Sequence, residues 1–225
     1  MKHLFDCHQM NRQVFFVLCF GLICGCQTSS LDYTAKLHRA VMTNKVNAVK
    51  RYIKKGGSVN YREGARGWTP LLFATESGHT DIAKILIENG ADVNMASSED
   101  KVSPLQRAAS KGNVDLVSHY LDKGAEIDYQ DYRLRSTALM WAAANGHDKV
   151  ASVLLEQGAL INVRGNRGES ALLLAVSAQN VDLVKLLLSF NAIIDRPDVY
   201  GITPLQKAKQ LKNKELIDLL EPTRL

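Results

Sequence analysis

The sequence predicts an all-α solenoid of about six helix-turn-helix repeats, and three periodic signals predict it. A Thr or Ser, then Pro or Ala, then Leu recurs at Thr69-Pro70-Leu71, Ser103-Pro104-Leu105, Thr137-Ala138-Leu139, Ser170-Ala171-Leu172 and Thr203-Pro204-Leu205, in steps of 34, 34, 33 and 33 residues. An Ala three residues after each Leu keeps phase: Ala74, Ala108, Ala142, Ala175 and Ala208. A second cluster does the same at Gly90-Ala91-Asp92-Val93-Asn94, Gly124-Ala125-Glu126-Ile127-Asp128, Gly158-Ala159-Leu160-Ile161-Asn162 and Asn191-Ala192-Ile193-Ile194-Asp195. An earlier copy reads Leu37 to Ala40 and Gly56-Gly57-Ser58-Val59-Asn60. A fixed period in this range implies stacked copies of one supersecondary unit.

Each element has a local cause. Thr69 or Ser103 can cap a helix through its side-chain oxygen, and Pro70 or Pro104 suits the first turn. The inner helix is short, and small residues such as Ala74, Ala108 and Ala142 let the next repeat approach. Gly78, Gly112 and Gly146 end it, where positive φ is cheap. The outer helix spaces its apolar residues helically: Ile82-Ala83 with Leu86-Ile87, Leu116-Val117 with Tyr120-Leu121, Val150-Ala151 with Leu154-Leu155, Leu183-Val184 with Leu187-Leu188. Gly90, Gly124 and Gly158 stop it, and Asn191, the next-best left-handed cap, takes that place later. The end copies are polar, with Lys50, Arg51, Lys54 and Lys55 in the first and Lys207, Lys209, Lys212, Lys214 and Glu215 in the last. No neighbour covers the outer face of a terminal repeat.

TPLLFATESGHTDIAKILIENGADVN (69–94) resembles the ankyrin repeat, and the other copies resemble it with decreasing fidelity over roughly residues 34–221. The resemblance implies two short antiparallel helices per repeat and a β-hairpin-like finger loop projecting sideways. It also implies binding rather than catalysis, since a solenoid offers a groove and not an enclosed pocket.

Residues 1–25 read as a signal peptide. Lys2, His3 and Arg12 precede the apolar run VFFVLCFGLI at 14–23. Ten residues are too few to span a bilayer, which takes ~20, but suit a signal-peptide core. Ile23-Cys24-Gly25-Cys26 then resembles the bacterial lipobox, with an aliphatic residue three before the Cys and a small one just before it. The resemblance implies that Cys26 is the lipidated first residue, with 26–33 a tether and 34–225 the repeat domain. Gln27, in place of an Asp, implies sorting to the outer rather than the inner membrane. All four Cys (Cys7, Cys19, Cys24, Cys26) lie in or at the end of this segment. The repeat domain therefore holds no disulfide or metal thiolate.

Cleavage before Cys26 leaves 26 basic against 22 acidic residues, a balance of +4. A basic surface can point to nucleic acid or anionic lipid. Much of the Lys excess sits in the caps, where solubility explains it, and an exported chain does not routinely meet nucleic acid.

Few residues suggest chemistry. His38, His79 and His147 hold repeat positions and are read as turn and inter-repeat hydrogen-bonding residues, and His119 as a partly exposed residue of an outer helix. Asp92, Asp128 and Asp195 recur with the repeat and are read as setting loop geometry through local bonds. Gly64-Ala65-Arg66-Gly67 and Gly165-Asn166-Arg167-Gly168 lack the Lys-Ser/Thr of a phosphate loop, and no Gly-x-Ser-x-Gly occurs. No catalytic residue, metal site or cofactor is expected.

Function should lie where copies differ, at the finger tips and the exposed side of the inner helices. The tips hold seven of the chain's 12 Arg but one of its 16 Lys. They supply a candidate partner-binding set of Arg62, Arg66, Trp68, Tyr129, Tyr132, Arg133, Arg135, Arg164, Arg167, Arg196 and Tyr200. Interfaces favour Tyr, Trp and Arg over Lys. A simpler role is mutual rigidification, for instance an Arg133–Asp131 pair, or Trp68 packed under the next finger. Phe73 and Trp141 are read as inter-repeat core. The expectation is a monomeric, membrane-tethered, periplasm-facing module that binds an exported or envelope protein through its concave, Arg/Tyr-lined side, to localise, protect or neutralise it. The alternatives are an envelope structural protein contacting anionic lipid, and a cytosolic scaffold.

Overall fold

The computed structural model describes residues 30–221, and within them six helix pairs stack in chain order. They are α1 (30–42) with α2 (Val46–Lys54), α3 (Pro70–Glu76) with α4 (Thr80–Glu88), and α5 (Pro104–Ser110) with α6 (Val114–Asp122). Then follow α7 (Ala138–Ala144) with α8 (Asp148–Glu156), α9 (Ala171–Ser177) with α10 (Val181–Ser189), and α11 (Pro204–Leu211) with α12 (Lys214–Leu220). Inner helices pack on inner helices and outer on outer. Among the described residues no strand forms, and one isolated antiparallel bridge joins Glu63 to Trp68. No helix among them is long and apolar enough to cross a membrane. Cys26 and residues 1–29 lie outside the described residues, as do 222–225.

The repeat motifs act as read. Thr69, Ser103, Thr137, Ser170 and Thr203 each accept a backbone N–H three residues on, capping α3, α5, α7, α9 and α11. Such a cap is worth about 1 kcal/mol. In each of four copies the outer helix buries a triad completely: Ile82, Ala83 and Leu86; Leu116, Val117 and Tyr120; Val150, Ala151 and Leu154; Leu183, Val184 and Leu187. Burying one such large side chain contributes about 1.5–3 kcal/mol. Ile87, Leu121 and Leu188, grouped with these from sequence, are only partly buried.

Tyr120 is the polar exception in this core. Its hydroxyl meets Thr75 Oγ1 at 2.5 Å in the preceding repeat, and Thr75 donates to the Leu71 carbonyl at 2.7 Å. Burial pushes its phenol far above the usual range.

One departure concerns the N-terminal end. Residues 30–33, expected as tether, are already helical. Thr34 donates to the Ser30 carbonyl (2.9 Å) and accepts the Ser58 N–H (3.0 Å), while Tyr33 stacks on Tyr52 with ring centroids 6.4 Å apart. At the inner-to-outer turn, Gly112 is required twice over. Its φ is +70°, and a Cβ would come within 2.7 Å of His147. Gln179 (φ +56°) and Lys212 (φ +55°) hold the same left-handed turn without glycine.

Candidate protein-binding surface

The loops between repeats fold into a row of fingers. Each is closed by its own backbone bond: Glu63 N–H to Trp68 O (2.8 Å), Ser97 to Val102 (3.0 Å), Asp131 to Ser136 (3.2 Å), Gly165 to Glu169 (2.9 Å) and Asp198 to Ile202 (3.0 Å). Each is also bonded to the next. Ser98 N–H donates to Arg66 O (2.9 Å), Tyr132 to Asp100 (3.1 Å), Asn166 to Leu134 (2.8 Å) and Val199 to Arg167 (2.9 Å). The fingers thus form one continuous hydrogen-bonded ribbon.

Side chains reinforce the ribbon, and two of the expected binding arginines are among them. Arg62 donates to the Ala96 carbonyl one repeat on, and Arg164 donates to Pro197 O at 2.5 Å. Gln130, the equivalent residue one repeat before Arg164, donates to Arg164 O at 3.1 Å. These three are straps between fingers, with Nη1 of Arg62 and Nη2 of Arg164 engaged inside the ribbon. Arg135 bonds Gln130 Oε1 at 2.8 Å, and its backbone is left-handed at φ +52°. Tyr129 is half-buried, and burial followed by Glu126 and Asp131 pushes its phenol up.

Trp68 sits at the centre of a packed cluster. Its ring meets the Phe73 ring edge-on at 5.1 Å, with the guanidinium groups of Arg107 and Arg66 over it at 5.4 and 5.9 Å. Arg107 Nε also lies 3.3 Å from Glu76, whose other oxygen takes Lys111 at 2.6 Å. Among the large hydrophobic side chains of the described residues, Tyr132 (77 % exposed) and Tyr200 (71 %) are presented most fully to solvent. Arg66, Arg133, Arg167 and Arg196 are exposed too. The binding set therefore divides into internal straps, a packed Trp68 cluster and free tips.

The Arg133–Asp131 pair weighed as a simpler role does not form. Asp131 is buried, and its carboxylate accepts N–H bonds from Leu134 (2.8 Å), Ser136 (3.2 Å) and the Trp141 indole (3.2 Å). Backbone amides lie closer to hand than a guanidinium that can reach water. Trp141, expected in the core, is half-buried and braces the third finger.

The histidines bridge repeats. His79 Nδ1 meets the Val41 carbonyl at 3.0 Å, and His147 Nε2 meets the Ser110 carbonyl at 3.1 Å. Buried His38 places Nδ1 against the Glu63 carboxylate, between the rings of Tyr61 and Phe73. Burial holds its pKa below the ordinary value despite the pull of Glu63. Among the described residues no His, Cys, Asp and Glu group could hold a metal ion.

A family model for ankyrin repeats matches three times, over residues 10–97, 96–165 and 139–222. The chain belongs to the ankyrin-repeat family. This ankyrin array is accordingly a protein-interaction module. It is similar to protein phosphatase 1 regulatory subunit 27 of Homo sapiens, 45% identical over 52 residues, which is 23% of this chain and 33% of the relative. The same subunit of Mus musculus is 40% identical over 52 residues, with the same coverage. The chain thus matches about a third of the length of these relatives.

Sequence reading missed three features of the ankyrin array. Asn60, Asn94 and Asn162 clamp successive outer turns: each Oδ1 accepts an N–H of the next repeat, from Asp92 (2.8 Å), Glu126 (2.9 Å) and Ile193 (2.9 Å). Asp128 makes the same bond to Leu160 (2.9 Å), so its role is inter-repeat rather than local. The recurring Asn/Asp five residues into the second motif carried that signal. Leu134 (38 % exposed) and Val199 (62 %) add apolar surface to the tips. Arg107, on an inner helix rather than a finger, belongs to the Trp68 cluster.

Proposed function

We propose that this chain is a non-enzymatic capture module. It is held on the bacterial envelope by lipidated Cys26, faces the periplasm with the outer membrane as its site, and binds an exported or envelope protein as a monomer. The observation that carries the binding role is the continuous finger ribbon, which presents Tyr132, Tyr200, Val199 and exposed arginines from a hydrogen-bonded base. Preordered groups lose little entropy on docking, so their contacts convert more fully into affinity. Tyr and Arg are the residue types that dominate binding energy at interfaces. Relatives named as regulatory subunits fit a chain that acts on another protein by holding it.

The tether reading rests on the lipobox resemblance at Ile23–Cys26 and on the confinement of cysteine to residues 7–26. Multiple acyl chains anchor far more firmly than one. The test is fractionation with pull-down from envelope extract. Wild type should sediment with membranes, carry added mass on Cys26 and recover a partner, and Cys26→Ser should be soluble, folded and still able to bind. Unchanged sedimentation of Cys26→Ser removes the tether. Failure of both forms to recover a protein removes the capture role.

A further inference from the structure

Between the second and third fingers the inner-helix face opens into a cleft of about 240 Å³, lined by Asp100, Arg107, Asp131, Arg133, Leu134 and Trp141. Small-molecule and cofactor pockets run to ~300–1,000 Å³. The cleft is smaller than these and suits one bulky side chain offered by a partner.

The charges around it are unequal in availability. Asp131 already accepts three N–H donors, one on Oδ1 and two on Oδ2. Asp100 takes the Ser97 hydroxyl and the Val102 N–H (3.4 Å) on one oxygen, and its other oxygen lies 3.9 Å from Arg107. Arg107 in turn has Glu76 beside it. Arg133, by contrast, makes no ion pair or side-chain hydrogen bond among the described residues. Lys101 and Arg135 open onto the adjoining surface of the same fingers. The cleft therefore has an apolar wall of Trp141 and Leu134, carboxylates already engaged inside the fold, and a cationic rim.

We infer that this cleft is the anchor site of the interface, receiving an aromatic side chain flanked by carboxylates in an extended segment of the partner protein. The inference rests on the capture reading above. The Trp141 ring offers a stacking or edge contact to an aromatic side chain. The guanidinium fork of Arg133 can take a neighbouring carboxylate through two parallel bonds. A basic segment would set its own charges against Arg133, Arg135 and Lys101.

The chain has two Trp, so Trp68→Phe leaves Trp141 as the sole tryptophan reporter. The probes are three blocked pentapeptides: Phe between acidic pairs, Ala between acidic pairs, and Phe between lysine pairs. Each is titrated to about 1 mM, which brings a site with a Kd of about 0.1 mM close to saturation. The acidic Phe peptide should change Trp141 fluorescence saturably, and the other two should bind at least tenfold more weakly. Arg133→Glu should weaken the acidic Phe peptide at least tenfold with unchanged melting. The inference is overturned by equal binding of the lysine peptide, by no saturable signal, or by an indifferent Arg133→Glu. A Trp141 response to phosphatidylglycerol vesicles in place of peptide would also overturn it. If Arg133→Glu still captures the partner from envelope extract, the anchor is wrong and the capture role stands. If the peptide binds but no extract yields a partner, the cleft's preference for an acidic aromatic segment stands and the envelope capture role falls.

Discussion

The indole N–H of Trp141 donates to the buried carboxylate of Asp131, Nε1 to Oδ2 3.2 Å, and ties the third finger to the inner helix behind it. The same carboxylate orders the finger's backbone through Leu134 and Ser136. Asp131→Ala strands three donors at a buried position, and we expect it to lower stability by about 2–3 kcal/mol. Trp141→Phe removes one of the three hydrogen bonds on that carboxylate and should cost about 1 kcal/mol. Residues sharing a network do not act independently, so the double variant should lose less than the sum. Urea unfolding of the four proteins measures this, and strict additivity would reject the shared network.

Stability should fall on mild acidification. The folded-state pKa of His38 is depressed, chiefly by burial. Its contribution is therefore complete above the ordinary value of 6.5 and is lost as pH falls toward the lower folded value. His119 shifts the same way, through burial and then Lys84 and Lys123. Asp100, despite burial, is held below the carboxylate range by Ser97, Val102 and Arg107, so its contribution is lost only at more acid pH. We expect stability to decline between about pH 7 and 5. His38→Gln should remove much of that slope. Gln already occupies the equivalent repeat position at Gln106 and Gln206, so the backbone accepts it. Parallel pH profiles for the two proteins would acquit His38.

The turns at Gln179 and Lys212 carry side chains in left-handed geometry, where the three central copies use Gly78, Gly112 and Gly146. That conformation costs a non-glycine residue about 1–2 kcal/mol. Gln179→Gly and Lys212→Gly should each raise stability by about 0.5–1 kcal/mol, since added chain entropy in glycine offsets part of the relief. For a chain of this size that is about 2–4 °C in melting temperature per kcal/mol. Amide exchange in wild type should be fastest from about residue 190 onward, where α12 packs on one side only. A lowered melting temperature for both glycine variants, or uniform protection along the array, would contradict this.

Free tips and straps should separate in a mutational series. Tyr132→Ala and Tyr200→Ala remove exposed side chains, so melting should move by less than about 0.5 kcal/mol. Partner capture should nevertheless weaken by about 2 kcal/mol for the stronger of the two. Arg62→Ala and Arg164→Ala break finger-to-finger bonds and should cost about 1 kcal/mol of stability each. Lys54→Ala and Lys209→Ala in the end copies should alter capture little, because solvated charges remote from the contact act through screened long-range attraction. Equal effects from end-copy lysines and finger tyrosines would make this a general basic surface rather than a finger site.

Framework positions were legible because they recur. A cap Thr or Ser, a turn Gly and an outer-helix apolar triad each answer a local requirement, and successive copies restate it. Finger residues occur once, so composition marked the region without assigning tasks within it. Arg62 and Arg133 look alike in sequence, yet one spans to Ala96 and the other faces water. Trp141 looked like core and is a brace at the edge of a cleft.

The sequence alone determined the repeat number, the helical elements, their caps and their buried faces, because all of these follow from contacts within about 34 residues of chain. Only the tertiary structure decided which arginines are straps, where Asp131 sends its carboxylate and that a cleft opens beside Trp141. Those outcomes depend on distances between residues of neighbouring fingers, and competition among several donors for one buried acceptor is settled by geometry that no residue type carries in itself.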